Sequence, residues 1–418
     1  MLNRVIKLLL TTLLLTGCVT NDKINKMNID AKYITNLLLE KNYDEVLNHC
    51  DKQMKSLLTV DALKTIFDKY DDHYEITSVN TKEIDGYNVD TVNIKLQDLM
   101  LILTITISDN ELIGLYYTEE HDLIKTNDYI ETQLNIESAN FPIKGRMIIP
   151  NNPKQYSLVI IVGGSGPTDM DGNIGVNKVY KNLAIKLAEN NIASIRYDKR
   201  TKNYQPLTYD DLLDYEYIDD LNILIDYANT LDNIKDIIIL GHSQAGMIAP
   251  YISSINNVDK LVLMNSTPKN LEDIIYTQNI ESFEQTKISK QEKDKALLYI
   301  ENEYVKAKNA TNNNEELAFT LPVSYFHDMH LITDHKYLLN NELPTLICNG
   351  LSDFQVNKNN GSAAYQTLLS GKKNYIFKVY DELNHIMIKS DTLSLKDYNT
   401  KKELDENFIQ DLINFINN

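Results

Sequence analysis

Ser243 stands in the stretch IILGHSQAGMIAPYI, residues 238–252, between a run of branched apolar residues and a segment with the spacing of an amphipathic helix. A strand that turns sharply into a helix at a serine lifts the hydroxyl clear of the sheet edge, the context of a nucleophile elbow. A hydroxyl is a weak nucleophile and needs a base that accepts its proton near neutral pH; the base in turn needs a carboxylate to fix its tautomer. Two later segments offer these groups. Asp353, in LSDFQV, follows the apolar run PTLICNG, and His385, in DELNHIM, follows NYIFKVY. The chain order serine, aspartate, histidine suits acyl transfer on a sheet of parallel strands.

The charge that builds on an attacked carbonyl oxygen must be met by fixed donors. GGSGPTDMDGN begins at Gly163 after the run LVIIV, and the backbone N–H groups of Ser165 and Gln244 are the expected oxyanion donors, with Gly164 the alternative to Ser165. The usual elbow has glycine at its fifth position, where this chain has Ala245, with Gly246 next. A serine that merely caps a helix after a buried strand is the competing reading. His242 adjoins the serine and is expected to be structural. His327, His330 and His335 are weaker candidates for the base, and Asp381 for the carboxylate. DMDGN could begin a calcium loop, but the twelfth position counted from Asp169 is Tyr180 rather than glutamate, so no metal is expected.

These residues need elements to hold them. LVIIVGG, ASIRYD, DIIILGH, LVLMNS, PTLICNG and NYIFKVY are short apolar runs, most separated by helical patterns such as VYKNLAIKLAENN. Buried strands alternating with helices predict a largely parallel sheet covered on both faces, opened by an antiparallel pair, QLNIES and PIKGRMIIP. An insertion at about 270–335 carries no strand signal and is expected to be a helical lid. Ahead of residue 118 the pattern differs: apolar residues recur every three or four positions over 30–75, then EITSVN, YNVDTVNIKL, LMLILTITI and ELIGLYYT read as a strand meander. The division expected is therefore a small α+β domain at 30–118, a linker at 119–127 and an α/β domain at 128–418.

The first residues have another character. Arg4 and Lys7 precede an apolar stretch, Leu8–Leu15, which ends in Leu15-Thr16-Gly17-Cys18, the layout of an export signal. The run is too short to span a bilayer. LTGC resembles the lipobox of bacterial lipoproteins, which implies cleavage before Cys18, acylation of that cysteine, a tether at 19–29 and anchoring on the bacterial membrane or outer surface. The formal net charge is −18 and becomes two units more negative without Arg4 and Lys7, so nucleic acid is not an expected partner. Cys50 and Cys348 fall in different predicted domains and are expected to be buried thiols.

Taken together, GGSGPTDMDGN, RYDKR, GHSQAG, SDFQV and LNH resemble an α/β-hydrolase of the secreted esterase branch. The resemblance spans residues 128–418; departures are Ala245, Met170 where the family has arginine, and Thr201 where it has glycine. Residues 30–118 resemble the cystatin-like or nuclear-transport-factor-like module that precedes some secreted hydrolases. The resemblance implies hydrolysis of short acyl esters through Ser243, Asp353 and His385, with no cofactor. Peptidase or thioesterase action of the same triad, or a non-catalytic surface lipoprotein that binds a ligand, are the alternatives.

Overall fold

The computed structural model describes residues 29–418 apart from 71–72, 85, 98, 139–140, 152–153, 204–211, 285–288 and 314. The expected signal, Cys18 and all but the last residue of the expected tether lie outside the described residues. The chain divides into two compact units, which meet in sequence between Asp122 and Leu123.

In the first unit four helices, Ala31–Leu39, Tyr43–His49, Lys52–Leu57 and Val60–Phe67, precede an antiparallel meander of β1 (Glu75–Ile84), β2 (Tyr87–Lys95), β3 (Leu99–Ser108) and β4 (Glu111–His121). Asp30, Asp51 and Thr59 cap three of the helices by accepting the N–H three residues on. Ile34, Leu38, Leu63 and Phe67 from the helices meet Val92, Ile94, Leu101, Leu103 and Ile105, which alternate along two strands. TEEH, read from sequence as the start of a linker, continues β4 against β3, because Glu119 accepts from Tyr70 and pairs with Lys69.

The second unit is built on one eight-stranded sheet, in the order β16-β15-β12-β11-β7-β10-β6-β5. Its strands are β5 (Tyr129–Ile136), β6 (Ile143–Pro150), β7 (Tyr156–Val162), β10 (Ala193–Tyr197), β11 (Ile234–His242), β12 (Lys260–Met264), β15 (Thr345–Gly350) and β16 (Tyr375–Tyr380). β5, β6 and β10 pair antiparallel; from β10 to β16 all pairs are parallel. Two short hairpins, β8–β9 (Asn173–Ile174, Asn177–Lys178) and β13–β14 (Leu317–Ala318, Leu321–Pro322), lie outside it.

Both faces of the central strands are buried, and alternate residues go to opposite sides. Ile237 and Ile239 of β11 join the cluster under helices Asp219–Asn229 and Gln244–Ile255, whereas Ile238 and Leu240 join the one under Val179–Ala188 and Glu406–Asn417. The last helix shows how sequence fixes this packing: Asp405 caps it, and Phe408, Leu412, Phe415 and Ile416 fall on its buried side. This is the largely parallel sheet, covered on both faces and opened by an antiparallel pair, that the strand pattern predicts. Between β12 and β15 the insertion holds helices Leu271–Glu284, Lys290–Lys308, Val323–Ile332 and His335–Leu339. Among its described residues the β13–β14 hairpin departs from the helical expectation; two residues per strand are too few to leave a periodic signal. Cys50 and Cys348 are both buried, unpaired thiols. No helix of the described residues is long and apolar enough to cross a membrane.

Candidate active site

β7, β11, β15 and β16 run parallel, so their carboxyl ends open on one rim of the sheet, where ligand sites of such folds gather. Ser243 follows β11 and precedes helix Gln244–Ile255 with φ 57° and ψ −121°. A serine in that region is strained by about 1–3 kcal/mol, which the surrounding structure must hold in place. The crossing shows how. A Cβ on Gly241 would lie 2.6 Å from the Gly246 nitrogen, and one on Gly246 2.6 Å from the Ser266 Cβ, so these two positions let strand and helix backbones touch. Ala245, the departure noted in the sequence, packs its methyl into the core instead. The close approach falls on Gly246, and the missing glycine is not needed there.

Asp353 lies just past β15 and His385 just past β16, and both are buried. Oδ2 of Asp353 is 2.7 Å from Nδ1 of His385, while its Oδ1 accepts the backbone N–H groups of Gln355 and Val356 at 2.7 and 2.9 Å. An ionised carboxylate only accepts, so Nδ1 carries the proton and Nε2 is left with its lone pair free to take one. The His385 loop is itself fixed by Asn265, whose side chain donates to the Asn384 carbonyl at 3.0 Å and accepts from the Gly350 N–H at 2.8 Å.

His242, next to Ser243, has its ring centroid 4.8 Å from that of His385. Its Nε2 donates to the His385 carbonyl at 2.8 Å, and its Nδ1 accepts from the Tyr180 hydroxyl at 2.9 Å. Burial, with His385 beside it, pushes His242 down to about 3, so it stays neutral. Of the other candidates, His330 and His335 are engaged elsewhere. His330 bonds Glu272 at 2.9 Å, His335 the Pro268 carbonyl at 2.8 Å, and Asp381 is exposed, with its carbonyl accepting from Ser352.

The loop after β7 also runs against Ser243. A Cβ on Gly164 would sit 3.1 Å from that of Ser243, so this backbone passes directly against the serine. The Gly164 N–H donates to the Tyr180 hydroxyl at 3.2 Å. Its single proton is therefore committed, and Gly164 is set aside as the alternative oxyanion donor. The N–H groups of Ser165 and of Gln244, the first helical residue, take no acceptor among the described hydrogen bonds.

Sequence reasoning missed what surrounds this loop. The Gly164 carbonyl accepts from the Lys199 ammonium and, at 2.8 Å, from the Tyr217 hydroxyl. Lys199 lies 3.3 Å from Glu216, which accepts from Tyr325 at 3.0 Å; Tyr325 in turn accepts from the Gln244 side chain at 2.8 Å. The other charges of RYDKR brace the same region: Arg196 reaches Glu131 and Asp171, Asp198 accepts the Met170 N–H, and Arg200 pairs with Asp220. The one available signal was a dense set of charges directly after a fully buried strand. A cleft of about 720 Å³ beside Lys269, Asp273 and His335 includes none of Ser243, Asp353 and His385 in its lining.

No family profile matches the chain. It is 26% identical over 392 residues to the esterase EstD of Thermotoga maritima, an alignment covering 90% of this chain and 92% of that one. Among solved structures it is similar to Est1E from Butyrivibrio proteoclasticus (19% identity, TM-score 0.45, 68% of this chain and 99% of that one). It is also similar to the Pyrococcus furiosus esterase Pf2001 (13% identity, TM-score 0.43, 69% and 90%). The order of the eight strands and the serine turn at the end of β11 make Leu123–Asn418 an α/β unit on a largely parallel sheet, with a serine at a strand-to-helix turn.

Proposed function

We propose that this chain hydrolyses carboxylic esters of small acyl groups, with Ser243 as nucleophile. Nε2 of His385 takes the hydroxyl proton as the oxygen attacks the ester carbonyl, and Asp353 steadies the imidazolium. The N–H groups of Ser165 and Gln244 hold the oxyanion. The alcohol leaves with the proton from His385, and water releases the acyl group by the same steps. The observation that carries this reading is Ser243 at φ 57° on a strand-to-helix turn, its neighbour His242 bonded to the carbonyl of His385, whose ring is bonded to a buried aspartate at 2.7 Å. The name of the Thermotoga maritima relative supports the ester as substrate class. Short acyl groups are the substrates that the resemblance carried by GGSGPTDMDGN, SDFQV and LNH implies.

Ser243→Ala is expected to lower turnover of nitrophenyl acetate by about 10⁴-fold or more and to abolish labelling by a fluorophosphonate. Activity within tenfold of wild type would sink the assignment. Across nitrophenyl esters of rising chain length, kcat/KM should peak at two to about four carbons.

The lipobox supports a second proposal, that Cys18 is acylated and holds the enzyme on a membrane outside the cytoplasm. Expressed in a bacterium fed labelled palmitate, the chain should carry label and sediment with membranes, and Cys18→Ser should do neither. Equal sedimentation of the variant would refute it.

A further inference from the structure

The peptide that joins Gly164 to Ser165 has two ends, and only one of them faces the reaction. A trans peptide is planar, so its C=O and N–H point in opposite directions. Among the described residues no peptide is cis. Whatever grips the Gly164 carbonyl therefore fixes the direction of the Ser165 N–H. Two donors grip it, the Lys199 ammonium and the Tyr217 hydroxyl. Both side chains are buried, and the ammonium also lies 3.6 Å from the centroid of the Tyr217 ring.

We propose that Lys199 is a positioning residue for acyl transfer, whose cation holds the carbonyl of the 164–165 peptide and thereby aims and polarises the Ser165 N–H as an oxyanion donor. A positive charge on a carbonyl oxygen draws electron density from the amide nitrogen, which strengthens the N–H at the far end. The effect is greatest when charge develops on the substrate oxygen, so it belongs to the transition state rather than to substrate binding. Burial is essential to it, because an ammonium in water would be screened and would favour solvent over a neutral carbonyl. Glu216 and Tyr325 complete the arrangement. The carboxylate keeps the buried cation paired, and the tyrosine ties that carboxylate to Gln244, which bears the other donor. One buried chain of side chains thus links the 164–165 peptide to the side chain of the residue that bears the other donor.

This inference rests on the hydrolytic reading of Ser243. Lys199→Met removes the cation with little change of volume. Because it leaves Glu216 buried without its cation, the double variant Lys199→Met/Glu216→Gln is made beside it. In every variant that melts within a few degrees of wild type, kcat on nitrophenyl acetate should fall by about 10- to 100-fold, with KM within threefold. A trifluoromethyl ketone, which adds the Ser243 oxygen to form an anionic tetrahedral adduct, should lose inhibition by the same factor. A merely structural lysine would not make those two losses match. Unchanged kcat in a folded variant, or a loss confined to KM with ketone inhibition intact, would overturn the role of Lys199 while leaving the nucleophile assignment standing. If wild type neither hydrolyses esters nor takes the fluorophosphonate, the hydrolytic reading has failed, and this one with it.

Discussion

The two walls of the site are held by different chemistry. On the side of the proposed base, Asn265, Asn384 and backbone N–H groups fix the loops that carry Asp353 and His385. On the oxyanion side, the loop after β7 is surrounded by buried charges: Lys199 with Glu216, Arg196 with Glu131 and Asp171, Arg200 with Asp220. Amides hold geometry without regard to pH. Buried ion pairs hold it conditionally, since breaking one leaves an uncompensated charge at a cost of about 3–5 kcal/mol. Substitutions on the His385 side should therefore cost activity far more than stability, and those among the buried charges on the Gly164 side should cost both.

The sharpest way to break this contrast is on the base side. Asp353→Asn keeps the volume, but its amide can donate toward Nδ1 and favour the wrong tautomer of His385, so kcat should fall by roughly 10³- to 10⁴-fold with the melting temperature nearly unchanged. Steady-state kinetics beside a melting curve would check it; a loss under tenfold would mean that the carboxylate has no orienting part. A smaller effect is expected on the other wall. Burial pulls Lys199 down to about 8 against the opposing pull of Glu216 and Asp220, with the Tyr217 ring and the Gly164 carbonyl as its remaining neighbours. A lysine with a lowered pKa is charged below that value and neutral above it, so kcat should decline as pH rises through about 8, by no more than the loss seen in Lys199→Met. The variant should lack that limb, and a parallel decline in both proteins would assign it to another group.

The parts of this molecule that were legible in sequence are those whose signal is local. β11, the turn and the helix at Ser243 lie within one stretch of chain, and Asp353 and His385 each sit just past an apolar run, so strand pattern and residue type were enough to nominate them. The alternation of buried residues on β7, β11 and β12 likewise announced a doubly covered sheet. What sequence could not show is what crosses between elements. Lys199 and Tyr217 meet Gly164 from 35 and 53 positions away, through a carbonyl that any residue type would possess. Tyr180 entered the sequence argument only as a residue that could not bind calcium, and its real partners, Gly164 and His242, depend on how a helix settles on the sheet. The end of β4 was misjudged for a related reason, because TEEH is charged like a linker, yet Glu119 has a partner in the preceding helical region.

One feature joins the two walls. From the Gly164 N–H a bond runs to the Tyr180 hydroxyl, from there to one nitrogen of His242, and from the other nitrogen to the carbonyl of His385. This strut ties the loop that bears the proposed oxyanion donor to the loop that bears the proposed base, and a neutral imidazole is the right material for it. A protonated ring at that point would lose its bond from Tyr180 and repel the very cation that the neighbouring base must become, so the spacer can keep its span through each turnover only by never taking up a proton itself.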